Sequence, residues 1–308
     1  MKRLDPALTG VLLCVLAYGL LGLQDAAMKW LVADQSVPVS LFFRSLAVTA
    51  ACLLFGRGPM VRGALASSAQ AMVILRATIS IVAWILYYTG ARDLSLAEMT
   101  VIYFSAPVMV VVLAVLVLKE RVGPLQWASV AVGFAGVIVA VHPTHAPAPT
   151  ATALVLLSAL LWAFGYILLR RINGRMTVGA QVLVTNIVFC LVTGGMLPFQ
   201  GPMPGLSEIA LMAAVGLIGG AGQYALFASF ERASAAVLAP FEYTGLIWAF
   251  LLGALIWGTR PDLALILGAV LIAASGLIGV HAVNRDKRRP APLPEPGPAL
   301  SPLNGPTP

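Results

Sequence analysis

The chain has 308 residues, of which 60% are hydrophobic and only 10% charged, and its formal net charge is +7 at pH 7. Soluble domains carry roughly 25% charged residues, so this composition cannot cover a water-exposed surface and predicts a membrane protein. The basic residues stand in short clusters between apolar runs, without the aromatic-interleaved stripe typical of nucleic-acid binding, and nucleic acid is therefore excluded as a partner.

Ten apolar runs follow one another along the chain, and each is close to the roughly 20 residues with which a helix crosses a bilayer. The first is too long for the core of a signal peptide. Turn residues separate most runs, including Gly56, Gly58 and Pro59. The predicted helices span about 7–32, 37–56, 70–91, 95–118, 124–142, 150–172, 178–198, 206–229, 234–257 and 261–283. The sequence thus predicts an all-α polytopic protein with ten transmembrane helices.

The tail, residues 284–308, is first basic and then rich in proline, a composition that predicts a disordered segment. Arg44 and Arg76 fall inside predicted helices. With both termini in the cytoplasm, only Lys29, Arg92 and Arg260 of the remaining basic residues fall on the outer face. Lysine and arginine accumulate on the cytoplasmic side. We therefore expect a multi-pass protein of a bacterial-type inner membrane, with cytoplasmic N- and C-termini and a cytoplasmic tail.

The two halves of the chain resemble each other. A shift of 139 residues places 95–97 (Ser-Leu-Ala) on 234–236 (Ser-Ala-Ala) and Arg121 on Arg260. Each half then contains five predicted helices, and a second unit with an odd number of helices enters the membrane upside down. Such inverted repeats are the usual construction of carriers that alternate access to a site near the membrane midplane.

Residues 94–139 resemble the signature of the EamA domain of the drug/metabolite transporter superfamily. The residues that carry it are Ala97, Pro107, Lys119-Glu120-Arg121, Gln126-Trp127, Gly133 and Gly136. The run Asp25, Lys29 and Phe42-Phe43-Arg44 is similar to helices 1 and 2 of many such carriers. The resemblance covers two EamA-like five-helix units, 7–142 and 150–283.

The resemblance implies ten helices, inward termini, no ATP and transport of small metabolites. The sequence departs from the family at one point: Glu120, usual at the end of the fourth helix of each unit, has Thr259 as its counterpart in the second half. Members of the superfamily move amino acids, riboflavin, S-adenosylmethionine, sugars and opine-type metallophores, so the resemblance leaves the substrate open.

We expect a secondary transporter that exports an amino-acid-like or opine-metallophore-type compound. An uptake carrier for a vitamin or nucleoside-like metabolite is the alternative, and an intramembrane enzyme or a channel are hypotheses of other classes. The sequence has no HExxH, GxSxG or phosphate-loop motif, and no metal-binding spacing of cysteine or histidine, so we predict no cofactor. The expected partners are a small molecule and the lipid bilayer; a coupling proton and a homodimer stay open.

Charged residues inside a bilayer cost roughly 2.5–3.5 kcal/mol on insertion scales, so each needs an explanation. Glu242 lies about 12 Å into its helix, near the midplane, and follows Pro240, which frees a backbone carbonyl. It either binds a substrate amine or coupling proton, or forms a structural ion pair. The repeat shift places Tyr103 opposite Glu242, and a similar shift places Tyr18 opposite Trp162.

The first three helices hold four more ionisable candidates. Arg44 is too deep to reach the surface, so it either binds a substrate carboxylate or pairs with a structural carboxylate. Asp25 and Lys29 stand four residues apart, the spacing of a local salt bridge, or they gate the outer mouth. Arg76 lies nearer the cytoplasm, where it can reach lipid headgroups.

Trp84 and Tyr243 belong to a set of aromatic residues that either line a pocket or pack.

Overall fold

The computed structural model describes residues 6–118, 123–141, 149–172, 174–233 and 235–287, and within these ranges the chain forms twelve α-helices and no strand. The helices are α1 (Pro6–Asp34), α2 (Val37–Ala66), α3 (Gln70–Gly90), α4 (Leu96–Tyr103), α5 (Ala106–Leu118), α6 (Pro124–Val141), α7 (Pro149–Ile172), α8 (Val178–Met196), α9 (Leu206–Arg232), α10 (Ala235–Glu242), α11 (Thr244–Trp257) and α12 (Leu263–Lys287). The Lys119-Glu120-Arg121 motif and residues 288–308 of the predicted disordered tail lie outside the described residues. Residues 284–287, which were predicted to belong to that tail, form the end of α12 instead.

Six of the described helices are long and apolar enough to cross a membrane: Leu8–Asp34, Val37–Gly56, Gln70–Gly90, Pro149–Leu169, Val178–Phe199 and Leu206–Arg232. Shorter apolar helices include Trp127–Ala140, Thr244–Trp257 and Leu263–Gly279. Large apolar side chains cover the outside of the bundle, and Phe55, Leu191 and Leu255 are 85%, 70% and 72% exposed. Exposure of this apolar surface to water would be unfavourable, whereas lipid tails solvate it. The prediction of an all-α membrane protein is confirmed.

Two predicted helices are each divided in two, which corrects the sequence-based expectation. Predicted helix 4 consists of α4 and α5, which are separated at Phe104 and Ser105. Predicted helix 9 consists of α10 and α11, which are separated at Tyr243. Positions 104 and 243 differ by the same 139 residues as the sequence repeat. The interruption therefore recurs at the equivalent place in each half.

Local hydrogen bonds explain both interruptions. The backbone N–H of Ser105 donates to the Ile102 carbonyl at 3.1 Å, which closes a tighter turn than an α-helix. Two residues later, Pro107 has no N–H for the Tyr103 carbonyl. In the second half, the Thr244 hydroxyl donates to the Phe241 carbonyl at 2.7 Å and so competes with the helical backbone for that oxygen.

A third correction concerns α2, which continues to Ala66 rather than ending near residue 56. Within a helix, glycine costs about 1 kcal/mol and proline about 3 kcal/mol relative to alanine, so the cluster Gly56, Gly58 and Pro59 predicted a turn here. Met60 packs against Gly179 of α8, and Ala64 is buried in a core cluster with Met176. This packing explains why the helix continues.

The two halves are related by an approximate two-fold exchange in which α1–α6 take the places of α7–α12. Thus α1 packs on α9 as α7 packs on α3, and α1 contacts α10 and α11 as α7 contacts α4 and α5. Two helices of the first half contact their own counterparts in the second half: α2 contacts α8, and α6 contacts α12. A shared interface at the seam between the halves follows from this arrangement.

Glycines allow the backbones of α6 and α12 to meet. A Cβ added at Gly268 would lie 2.6 Å from Ala140 Cβ and 2.7 Å from the Gly136 carbonyl oxygen, closer than atoms can pack. Small residues at such crossings permit the close approach that stabilises membrane helix pairs.

Gly268→Ala is therefore expected to lower the free energy of unfolding by about 1–3 kcal/mol through overpacking. Gly195→Ala is the matched control, because a Cβ at Gly195 meets nothing within 4 Å and alanine gains up to about 1 kcal/mol of helix propensity. Denaturant unfolding in detergent measures both variants. Equal stability of the two would contradict the close packing of α6 on α12.

Candidate functional site

A cavity of about 130 Å³ lies at the seam between the two halves. Its lining comes from α1, α3, α4 and α5 of the first half and from α7, α9, α10 and α11 of the second. Eight aromatic side chains line it: Tyr18, Trp84, Tyr87, Tyr88, Tyr103, Phe104, Trp162 and Phe227. Asp25 and Glu242 are the carboxylates of the described lining, and Gln24 and Gln223 are its amides. The cavity is therefore polar at a few points on an aromatic wall.

Glu242, the last residue of α10, faces this cavity beside the interruption between α10 and α11. The Tyr18 hydroxyl of α1 donates to Glu242 Oε2 at 3.1 Å. Within the described residues, Glu242 has no lysine, arginine or histidine at ion-pair distance. Its carboxylate is thus held by one neutral donor from the other half of the protein.

Tyr103, the last residue of α4, also lines the cavity. Its ring lies 5.1 Å from the ring of Tyr87 and 6.1 Å from that of Trp162, measured between centroids. The two cross-half pairs are equivalent under the repeat, since Tyr18 contacts Glu242 as Trp162 contacts Tyr103. The structure therefore brings together, around one cavity, the aligned pairs Tyr103/Glu242 and Tyr18/Trp162.

Asp25 belongs to a buried hydrogen-bond network with Gln24, Arg44 and Tyr88. Arg44 donates from Nε and Nη2 to Gln24 Oε1 at 3.2 and 2.8 Å. Gln24 Nε2 donates to the Tyr88 hydroxyl at 3.0 Å and approaches Asp25 Oδ1 at 3.5 Å, while the Tyr88 hydroxyl donates to Asp25 Oδ1 at 2.7 Å. A guanidinium has only donors, so the Gln24 carbonyl must face Arg44 and its NH₂ group must face Asp25.

Arg44 does not line the cavity, although it is 1% exposed and close to it. Its guanidinium stacks on the Trp84 ring at 4.0 Å, and Trp84 and Gln24 separate it from the cavity. The predicted direct carboxylate partner is wrong, because the Gln24 amide takes that place and relays Arg44 to Asp25. Gly219 makes room for this amide, since a Cβ there would overlap the Gln24 side chain.

Lys29 lies away from the cavity, near the C-terminal end of α1. Its Nζ donates to the carbonyls of Ala91 and Leu94 at 2.6 Å each, and it lies 5.8 Å from the Trp257 ring. Free carbonyls after a helix end attract a cation, so Lys29 bonds to them instead of to Asp25. The predicted Asp25–Lys29 salt bridge therefore does not form.

Two further candidate residues, Tyr243 and Arg76, lie outside the described lining of the cavity. Tyr243 packs its ring 5.4 Å from Phe104, with its hydroxyl against Gly276, and it is absent from the described lining of the cavity. Arg76 is 4% exposed and stacks on Phe227 at 4.9 Å, so the expectation that it reaches lipid headgroups is wrong. Its side chain is enclosed within the bundle.

Sequence reasoning missed the roles of Gln24 and Tyr88. A signal for Gln24 existed, because an amide next to Asp25 in the middle of an apolar helix needs buried partners. The contact of Tyr88 with Asp25 carried no signal in the sequence, because it depends on how α1 and α3 pack.

Two segments of the chain, residues 8–142 and 150–280, match the model of the EamA-like transporter family. The chain belongs to this family. This EamA family member is 30% identical over 224 residues to a riboflavin transporter of Rhizobium johnstonii, which covers 71% of the chain and 72% of that relative. It is 27% identical over 287 residues to a pseudopaline exporter of Pseudomonas aeruginosa, covering 92% of the chain and 99% of that protein.

A solved crystal structure shares the fold of this EamA family member, with a TM-score of 0.63 and 17% sequence identity. The match covers 93% of the chain and 100% of the crystallised chain. The match of both segments to the family model confirms the resemblance drawn from the sequence motifs.

Because Gln24 links Arg44 to Asp25, we predict that Gln24→Leu removes the two hydrogen bonds that Arg44 donates to Gln24. An unsatisfied buried charge is costly, so the free energy of unfolding should fall by about 2–3 kcal/mol. Gln200→Leu is the control, because Gln200 lies beyond α8 and its side chain has one described hydrogen bond, which it donates to the Met196 carbonyl at 3.3 Å. Denaturant unfolding measures both variants. An equal decrease in the free energy of unfolding in the two variants would show that the link through Gln24 does not stabilise the protein.

Proposed function

We propose that this EamA family member is a secondary transporter that moves a small polar metabolite by alternating access. The observation that carries the proposal is the cavity at the seam, to which both halves contribute equivalent elements. Tyr103 and Glu242 face it from the interrupted ends of α4 and α10. Broken helices beside a site between two repeats are a common feature of carriers.

The proposed topology has ten spans, because α4 with α5 and α10 with α11 each form one interrupted span. Each half then has five spans, and the second half lies inverted in the membrane. The distribution of basic residues supports cytoplasmic termini in a bacterial-type inner membrane. A homodimer stays a prediction.

One polar link between the halves lies at each end of the bundle, and the two links are equivalent under the exchange of halves. Gln35 Nε2, before α2, donates to Glu208 Oε1 of α9 at 2.9 Å. Ser67 Oγ, before α3, donates to the Arg175 carbonyl, before α8, at 2.9 Å. In the proposed cycle the first link opens to the outside and the second opens to the cytoplasm.

Export of an amino-acid-like or metallophore-type compound is the direction we propose, and the near full-length similarity to a pseudopaline exporter supports it. Uptake of a vitamin or nucleoside-like metabolite is the second candidate, supported by the similarity to a riboflavin transporter and by the aromatic lining. Membership in a transporter family favours either carrier over an enzyme. A coupling proton has a suitable acceptor in Glu242.

Transport is tested by comparing metabolites in the medium of cells that lack the protein, express it, or express Glu242→Gln. We expect a small set of polar metabolites to accumulate only with the active protein. The variant should lower this accumulation at least tenfold, because it removes one of the two carboxylate charges in the cavity.

Glu231→Gln is the matched control, since Glu231 is exposed at the end of α9 and outside the lining of the cavity. A compound identified in this way should cross proteoliposomes with a saturable rate. Flux that rises without saturation would indicate a channel, and identical media from all strains would remove the export hypothesis.

The inverted arrangement is tested on two equivalent loops, one between α2 and α3 and one between α8 and α9. In a chain whose three native cysteines are replaced, Ser68→Cys and Met203→Cys place one exposed thiol in each loop. An impermeant maleimide added to intact cells should label only the cysteine at position 203. Labelling of both positions from the same side would exclude inversion.

A further inference from the structure

The charged groups that face the cavity all have the same sign. Asp25 and Glu242 line it, and the described residues of the lining include no lysine, arginine or histidine. We propose that the cavity binds the cationic nitrogen of an organic amine, with Glu242 as its counter-ion. This inference rests on the proposed carrier function and names the chemical class of its substrate.

The two carboxylates differ in how far the protein compensates them. Asp25 accepts a hydrogen bond from Tyr88 at 2.7 Å and is linked through Gln24 to the guanidinium of Arg44. A buried charge with a hydrogen-bond donor and a nearby opposite charge is stabilised within the protein. Asp25 therefore does not require a ligand.

Glu242 lacks such compensation among the residues that the structure describes. Tyr18 donates to Oε2 at 3.1 Å, and no described donor bonds to Oε1, although a carboxylate can accept about four hydrogen bonds. Removing an ionised carboxylate from water without a paired charge is strongly unfavourable. Glu242 lines the cavity, so a cation bound there supplies the missing partner.

Aromatic rings around Glu242 favour the same class of ligand. Tyr18 holds the carboxylate and lies 6.3 Å from Phe104, and Tyr103 and Trp162 stand 6.1 Å apart on the same cavity. The face of an aromatic ring carries negative charge and attracts a cation within about 6 Å of its centroid. The same faces repel a carboxylate, so the wall discriminates by charge.

The two buried arginines do not offset this preference. Arg44 stands behind Trp84 and Gln24, and Arg76 stands behind Phe227. Each has an Nη1 atom without a hydrogen-bond partner. A substrate carboxylate could bond to the Nη1 atom of Arg44 or Arg76 only if Trp84 or Phe227 moved away. If such a movement occurred, the cavity would bind anions in preference to cations.

Binding of four probes that share a phenyl ring separates these cases: 2-phenylethylamine, 3-phenylpropionate, 2-phenylethanol and phenylalanine. Calorimetry on the purified full-length protein in lipid nanodiscs should give the amine an affinity at least tenfold above that of the carboxylate. Glu242→Gln should weaken amine binding about 10- to 100-fold, as expected for loss of a charged hydrogen bond. The affinity for 2-phenylethanol should not change in this variant.

Two further variants separate charge in the cavity from general damage. Asp25→Asn should weaken amine binding less than about threefold, because Arg44 already compensates Asp25. Glu231→Gln should have no effect. Tighter binding of 3-phenylpropionate, absence of binding by all four probes, or unchanged amine binding in Glu242→Gln would each overturn the proposal.

Transport is measured separately, so that the two proposals fail independently. Counterflow of a permanently charged phenethyltrimethylammonium probe in proteoliposomes should saturate and should depend on Glu242. Saturable transport of anions alone would overturn the cation inference and leave the carrier function standing. Charge-selective binding without protein-dependent counterflow would support the site and overturn the carrier.

Discussion

Hydrocarbon offers no hydrogen-bond partner to a peptide group, so every backbone N–H and C=O within the membrane must bond inside the protein. This constraint makes the described chain helical from one turn to the next. It also limits where a helix can be interrupted, because freed backbone groups need protein or water around them. The interruptions at 104–105 and 243 satisfy that condition, since Phe104 and Glu242 both line the cavity.

The same constraint governs the charged side chains. Arg44 is held by the Gln24 amide and Lys29 by two backbone carbonyls, so neutral dipoles take the place of ion pairs. Among the described residues, Glu242 has the Tyr18 hydroxyl alone as a hydrogen-bond donor. Asp25, Arg44 and Lys29 thus have polar partners within the bundle, whereas Glu242 has a single described donor and lines a cavity. The proposed substrate class depends on this contrast.

Much of the architecture was predictable because it follows from apolar length and periodic repetition. The alignment of Tyr103 with Glu242 placed two cavity residues from opposite halves correctly, since equivalent positions in a repeat occupy equivalent places in space. Partners were harder to predict. The expected Asp25–Lys29 pair had ideal helical spacing, yet spacing says nothing about the carbonyls that another helix brings within reach of Lys29.

The sequence by itself determined that the chain lies in a membrane as helices, that its halves repeat, and that it resembles the EamA family, because each of these depends on composition or on motifs along the chain. Only the tertiary structure decided which charges are compensated. Gln24 reaches Arg44 because Gly219 leaves room for it, and Tyr18 reaches Glu242 across 224 residues of sequence. Such contacts depend on how helices pack, and an apolar helix can bury many of its faces with similar gain.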